Sequence, residues 1–250
     1  MIIFLILLFI VGAAIGSFLN VVIYRLPRHE SIVAPGSRCP ACDMPVSWYD
    51  NIPLLSFAWL RGRCRRCGQP ISFWYPVVEL LTAVLFVLAG WKFGSGAELL
   101  PPLLLIAALI AIFFIDLEHY IIPNAIVLPV AAVGLGLAIA VHPHRWAELL
   151  AAGAISGVFF LVLALIKPGG MGMGDVKLAL ALGFFLGKAV IVAMFAAFLL
   201  GALTGVALIA VRGKKMSSRL PFGPFLAVGA ILALFYGPFL LDKYLGLIGS

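Results

Sequence analysis

Two sets of side chains in this sequence carry chemistry: four cysteines in two C-x2-C pairs, and a few acidic residues that interrupt long apolar runs. The cysteines read Cys39-Pro-Ala-Cys42 and Cys64-Arg-Arg-Cys67-Gly68, with twenty-one residues between the pairs. Each C-x2-C turn presents two thiolates to one ion, so two such turns complete a tetrahedral zinc site. Gly68 suits the tight backbone that lets amides approach sulfur. The intervening segment slightly exceeds the usual zinc-ribbon length. A redox dithiol and a disulfide framework are the rival readings, but a reducing cytosol disfavours disulfides and no thioredoxin-like strand-helix unit surrounds either pair. Four thiolates leave no coordination position for an activating water, so the zinc would be a staple and not a catalyst.

Three acidic residues stand where apolar sequence closes around them: Glu79, Asp116 and Asp175. Ionisable residues within membrane segments are functional suspects by default. Asp116 ends the run 109–115, and Asp175 lies between a glycine-rich break, 168–174, and the apolar run from Leu178. They belong to different helices and can converge, which is what a two-carboxylate peptidase needs. One ionised group takes a proton from water while the other, protonated, polarises the scissile carbonyl. Two close carboxylates cannot readily both ionise, so they titrate as a coupled pair. Gly169, Gly170, Gly172 and Gly174 let the backbone unwind towards an extended substrate strand, or form an ordinary interhelix turn. Lys177 and the dipole of a helix starting here would both favour the charged form of Asp175. The competing reading makes both aspartates membrane-boundary caps. No Gly-Lys-Ser/Thr follows these glycines, so a phosphate-binding loop is not indicated. All four histidines precede Ser156, so a helix-borne Ser followed by a His in a later span is absent. His119 lies near Asp116 and reads first as a solvated interface residue, with a helper role left open.

The elements that must position these residues are membrane helices. Of the 250 residues 64% are hydrophobic and 11% charged, at a mean hydropathy of +1.19. No water-soluble domain of this size needs so little polar surface. A bilayer core takes roughly 20 apolar residues per helix. Eight apolar runs are present, at 2–24, 73–90, 99–115, 121–140, 146–166, 176–186, 189–211 and 221–240, the sixth being short. The first lacks a basic lead-in and a cleavage signature, and reads as a retained helix. Counted loop by loop, thirteen of the seventeen Lys and Arg fall on one side of an eight-helix layout. By the positive-inside rule that side is cytosolic, which puts both termini outside and both aspartates at the cytosolic face. The net charge of +7 then reports topology and attraction to anionic lipid, with no nucleic acid required.

The expected architecture is therefore an all-α polytopic protein of about eight transmembrane helices with a small zinc-binding cytosolic loop. Residues 1–24 form the first helix, 25–72 the four-cysteine zinc module, and 73–250 a seven-helix membrane domain. About fifty residues bury little apolar surface alone, so the module needs a metal staple or docking onto the helices. No internal repeat, low-complexity tract or flexible linker marks a further domain.

Several segments now make a resemblance visible. They are GSFLNVVIYRLP from Gly16, CPAC with WYDNIPLLS from Cys39 onward, GRCRRCG then YPVVELLTA from Gly62, FIDLEHYIIPN from Phe114, GMGDVK from Gly172 and LPFGPFLAVGA from Leu220. In this order, over almost the whole chain, the sequence resembles the bacterial type 4 prepilin peptidases, bifunctional leader peptidases and N-methyltransferases. The resemblance implies that Asp116 and Asp175 are the catalytic pair, the latter in a Gly-x-Gly-Asp motif. From the residues themselves Gly172, Gly174 and Lys177 are expected to support the site or bind substrate, and Glu79, in the YPVVE stretch, to contact substrate or orient the loop, the competing reading being a buried hydrogen-bonded carboxyl. Glu118 and Asn124 occupy positions where Asp is frequent in the family. The resemblance also implies prepilin or pseudopilin substrates, location in the bacterial inner membrane, and methyl transfer from S-adenosylmethionine involving the cysteine module. No strand-then-GxGxxG unit is present to hold that cofactor in the Rossmann manner. On the residues alone, an ion-coupled transporter using the same carboxylates and a non-catalytic membrane scaffold with a zinc loop are the alternatives.

Overall fold

A computed structural model describes residues 1–166, 170–212 and 220–248. The chain divides into two compact units, Met1–Leu99 and Leu100–Ser250. Every long element is helical, and among the described residues the only extended pairing is two isolated bridges in the cysteine loop.

The first unit contains α1 (Ile2–Arg25), the short α2 (Leu55–Trp59) and α3 (Trp74–Phe93). Between lipid-exposed helices there is little hydrophobic drive to associate, so close backbone approach by small residues has to hold them. α1 does this with Gly12 and Gly16, one turn apart. A Cβ at Gly12 would lie 2.7 Å from the Ala83 Cα, and one at Gly16 2.7 Å from the Glu79 Cα. Gly90 of α3 makes room for the Leu8 side chain, so the two helices run antiparallel. Near the loop end, the Asn20 side-chain amide donates to the Tyr75 carbonyl at 3.1 Å. The outward faces carry exposed Ile2, Ile3, Ile6 and Ile10, as a lipid-facing helix should.

The cysteine loop corrects the sequence reading on one point: it is an internal repeat. Ser37–Val46 and Gly62–Ile71 fold identically, each position advanced by 25 residues. Cys39 N–H donates to the Met44 carbonyl at 3.0 Å, and Cys64 N–H to the Gln69 carbonyl at 2.8 Å. Val46 N–H donates to Ser37 at 2.8 Å, and Ile71 N–H to Gly62 at 2.7 Å. The bridges Arg38 to Pro45 and Arg63 to Pro70 match as well. Both copies need a left-handed residue after the second cysteine, with φ 54° at Asp43 and 71° at Gly68, and Asp is among the few side chains that tolerate it. Only Arg, the two Cys and Pro recur between the copies, too little for a composition scan to register.

The second unit holds α4 (Leu100–His119), α5 (Asn124–Val141), α6 (Trp146–Ile166), α7 (Met173–Leu186), α8 (Val190–Arg212) and α9 (Gly223–Ile248). Its core gathers Leu109, Ile112, Val127, Phe160, Leu182 and Leu226, all at most 2% exposed. α6 and α7 meet through Gly153 and Gly183, where a Cβ on either would collide with the facing helix. The Ser156 hydroxyl adds a hydrogen bond to the Ala179 carbonyl at 2.8 Å. On α6 and α8, Phe160 stacks on Phe198 with ring centroids 5.7 Å apart, and Phe222 joins them.

Among the described residues seven segments are long and apolar enough to cross a membrane, because α7 and α8 follow one another as a single 39-residue stretch, Met173–Val211. Gly187, at φ 55°, breaks that stretch, and α8 turns back alongside α6. The eight apolar runs of the sequence thus correspond to eight helices. α7, at 14 residues, spans only about 21 Å, short of a bilayer core of about 30 Å.

Candidate active site and metal centre

Asp116 lies in the last turn of α4 and Asp175 in the first turn of α7, 4% and 8% exposed respectively. Each carboxylate leans one oxygen on a backbone amide at a helix N-terminus. Asp175 Oδ2 accepts from Gly172 N–H at 3.0 Å, closing the first turn of α7 on itself. Asp116 Oδ2 accepts from Gly223 N–H at 2.9 Å, at the start of α9 and 107 residues further along the chain. Unpaired N–H groups and the positive end of the helix dipole make such a terminus a natural seat for a carboxylate.

Ile122, in the turn between α4 and α5, ties the two seats together. A Cβ on Gly174, beside Asp175, would lie 2.8 Å from the Ile122 Cβ. One on Gly223 would lie 3.2 Å from the Ile122 Cδ1 and 2.6 Å from Asp116 Oδ2. The two carboxylates are near enough to feel each other's charge. Glycine at 174 and 223 is therefore demanded by space rather than by backbone angle.

Capping alone does not explain Asp175. A cap uses one oxygen, and the other, Oδ1, is buried with no hydrogen-bond partner. Leaving a buried acceptor unsatisfied costs about 1–3 kcal/mol, so such an atom calls for a proton, a water or a ligand. His119, one turn beyond Asp116, also has its Nε2 buried and unpartnered. Lys177 does not ion-pair with Asp175: its Nζ donates to Asn124 Oδ1 at 2.9 Å, pinning α7 to the start of α5. Gly172 supplies the amide on Asp175, and Gly174 the close approach to Ile122. Of the glycine-rich break, Pro168 and Gly169 lie outside the described residues.

Glu79 sits in the first unit, 7% exposed, where its Oε2 accepts from Leu54 N–H at 2.8 Å. That hydrogen bond joins α3 to the loop. Leu54 holds a φ of 62° there, in the WYDNIPLLS segment.

The four cysteine Sγ atoms lie within 4.8 Å of one another, with Cys39 and Cys67 at 3.8 Å. No disulfide joins them. The backbone N–H groups of Cys67 and then Arg66 draw the Cys64 thiol down to about 6. At Cys67 the Gln69 amide also pulls downward, but desolvation and the neighbouring thiols of Cys64, Cys42 and Cys39 outweigh it and raise the group to about 11. This donor set fits a soft, tetrahedral, thiolate-loving ion. Arg65 braces the module with a two-pronged grip on Asp50, at 2.7 to 3.1 Å.

Sequence reasoning missed Gly223 and Ile122 as parts of the aspartate site, and Leu54 as the partner of Glu79. The motif strings contain all three, but a backbone amide has no side-chain signature to mark it.

The profile of the bacterial peptidase A24 N-terminal domain matches residues 10–93, and that of the type IV leader peptidase family matches residues 103–206. A prepilin leader peptidase/N-methyltransferase of Bacillus subtilis is 40% identical over 96% of this chain and 97% of its own length. Proteins of the same name from Aeromonas hydrophila and Legionella pneumophila are 37% and 36% identical, covering 96% and 93% of this chain and 93% and 91% of their own lengths. No solved structure matches the chain significantly.

Proposed function

The chain belongs to the type IV prepilin leader peptidase family, and from that premise we propose that it cleaves the short basic leader of prepilin-like substrates and then methylates the new N-terminal amine. The observation that carries the peptidase reading is the pair Asp116 and Asp175, buried together, each with one oxygen held by a helix-terminal amide and with Asp175 Oδ1 unclaimed. Asp116 and Asp175 are the catalytic residues on this reading, and share one proton. The ionised partner accepts a proton as water attacks the scissile carbonyl carbon, and the protonated partner gives its proton to the carbonyl oxygen. Collapse of the tetrahedral intermediate breaks the C–N bond, and the departing amine takes a proton back from the pair. The Gly172 and Gly223 amides fix both carboxyl groups without using the oxygens that face the reaction.

The substrate's apolar segment stays in lipid while its basic leader lies at the cytosolic surface of the bacterial inner membrane. Thirteen of seventeen Lys and Arg on one side of an eight-helix layout support this sidedness. The peptidase chemistry belongs to the stretch 73–250, and within it to the unit from Leu100. Residues 1–24 anchor the chain and 25–72 form the metal module. Cys39, Cys42, Cys64 and Cys67 hold one zinc ion, which closes the module and leaves no open position for catalysis. S-adenosylmethionine, when bound, would supply an electrophilic methyl group to the new N-terminal amine. Pilins, pseudopilins and lipids are the partners this reading requires.

The test is leader cleavage by the purified protein in detergent, with Asp116→Asn and Asp175→Asn beside the wild type. Cleavage by wild type and none by either variant supports the pair. Appreciable cleavage by either variant removes it.

A further inference from the structure

The methyl-transfer half of the proposed function lacks a location, and the first unit contains a cavity that suits one. It has a volume of about 380 Å³ and lies between α1 and the cysteine loop, lined by Ser17, Phe18 and Arg25 on the helix and by Val33, Ser37 and Asn51 on the loop. That volume is in the range of small-ligand sites, and a mostly apolar wall with a few convergent polar groups is their usual make-up.

Arg25 gives the cavity its sign. Its two terminal nitrogens donate to the Ser31 carbonyl at 3.0 Å and the Gly36 carbonyl at 3.2 Å, which draws the loop over the end of α1. Carbonyls neutralise no charge, and among the described residues no carboxylate ion-pairs with Arg25. The guanidinium therefore presents an uncompensated positive charge with donor capacity to spare, which calls for an anionic group. Glu79 braces the walls: its carboxylate accepts from Leu54 N–H, next to the lining Pro53, and also reaches the hydroxyl of Ser17. One buried carboxyl thus fixes loop and helix at once.

We propose that this cavity is the S-adenosylmethionine site, with Arg25 receiving the cofactor's carboxylate, Phe18 and Val33 the adenine, and Ser17, Ser37 and Asn51 the hydroxyl and amine groups. Glu79 is a positioning residue that keeps the walls in register. A lipid phosphate is also an anion that Arg25 could hold, but hydroxyls and an amide set among aromatic and aliphatic walls match a nucleoside better than an acyl chain. The assignment rests on the methyltransferase reading and adds a place to it.

Photolabelling tests it with the full-length protein in phosphatidylcholine vesicles and an 8-azidoadenosyl analogue of S-adenosylmethionine, followed by peptide mapping. The label should fall on segments 14–25, 31–37 or 51–53 and be displaced by S-adenosylhomocysteine. Arg25→Ala should weaken binding about tenfold or more, as expected for losing a hydrogen-bonded charge. Glu79→Ala should weaken binding too, and Glu79→Gln, whose amide oxygen still accepts from Leu54, should restore it. Label on other segments, or displacement by added phosphatidylglycerol in place of S-adenosylhomocysteine, overturns the site and leaves the methyltransferase reading intact. Wild-type protein that cleaves leader yet neither takes the label nor methylates its product overturns both.

Discussion

The cysteine module and the aspartate site solve the same problem, bringing a few chemical groups to one point, by opposite routes. The cysteines converge through two short turns, each a self-contained ten-residue unit with its own hydrogen bonds, and the two copies need only meet face to face. The aspartates converge through helix packing, and the amide that holds Asp116 comes from 107 residues away. A site built of local turns is robust in each half and fragile only at its ion. A site built of packed helices is fragile wherever a side chain can push the helices apart.

That contrast is broken most sharply at the carboxylates. Asp116→Asn or Asp175→Asn should lower leader cleavage by about 10³-fold or more, since each removes one member of a proton-sharing pair at nearly constant volume. Both variants should keep their zinc. Metal loss accompanying either substitution would show that the two sites do not stand independently.

Next in size is the effect of space alone. Gly223→Ala adds one methyl group 2.6 Å from Asp116 Oδ2, so the carboxylate must move. A displacement of about 1 Å at a reacting group costs on the order of a hundredfold, and cleavage should fall by that much with zinc content and methylation of pre-cleaved substrate unchanged. Wild-type cleavage by Gly223→Ala would mean that the hydrogen bond to Asp116 is dispensable.

The metal side gives a more selective outcome. Purified protein should contain about one zinc per chain, lost on Cys39→Ser or Cys67→Ser, because a closed thiolate site tolerates no missing ligand. A Cys64→Ser protein should still release leader, while its mature product carries an unmethylated N-terminus by mass spectrometry. Equal loss of the two activities would make the module a support for the whole enzyme and end the two-centre picture.

The smallest effect is expected at Lys177. Its hydrogen bond to Asn124 is solvent-exposed, so Lys177→Met should cost about 1 kcal/mol or less in stability and change cleavage less than tenfold. A loss as large as that of Asp175→Asn would place Lys177 in the chemistry itself.

Much of this molecule was legible in its sequence. Apolar runs of bilayer length follow from the cost of unsatisfied backbone in lipid, so helix number could be read without any tertiary information. C-x2-C spacing encodes ligand geometry within a single turn, so the four-cysteine cluster was legible too, although its two-fold repetition was not: the repeat lives in backbone hydrogen bonds that several side-chain sets can make. Asp116 and Asp175 stood out because charge amid apolar sequence is costly and needs a reason. What only the tertiary structure decided is which atoms meet. Gly223 became the amide donor to Asp116, Ile122 the wedge between Gly174 and Gly223, Lys177 a partner of Asn124 and not of Asp175, and Glu79 the clasp on Leu54. Each of these contacts joins residues distant in the chain or uses a backbone group common to every residue. The packing of whole helices decides which of these groups come within reach of one another.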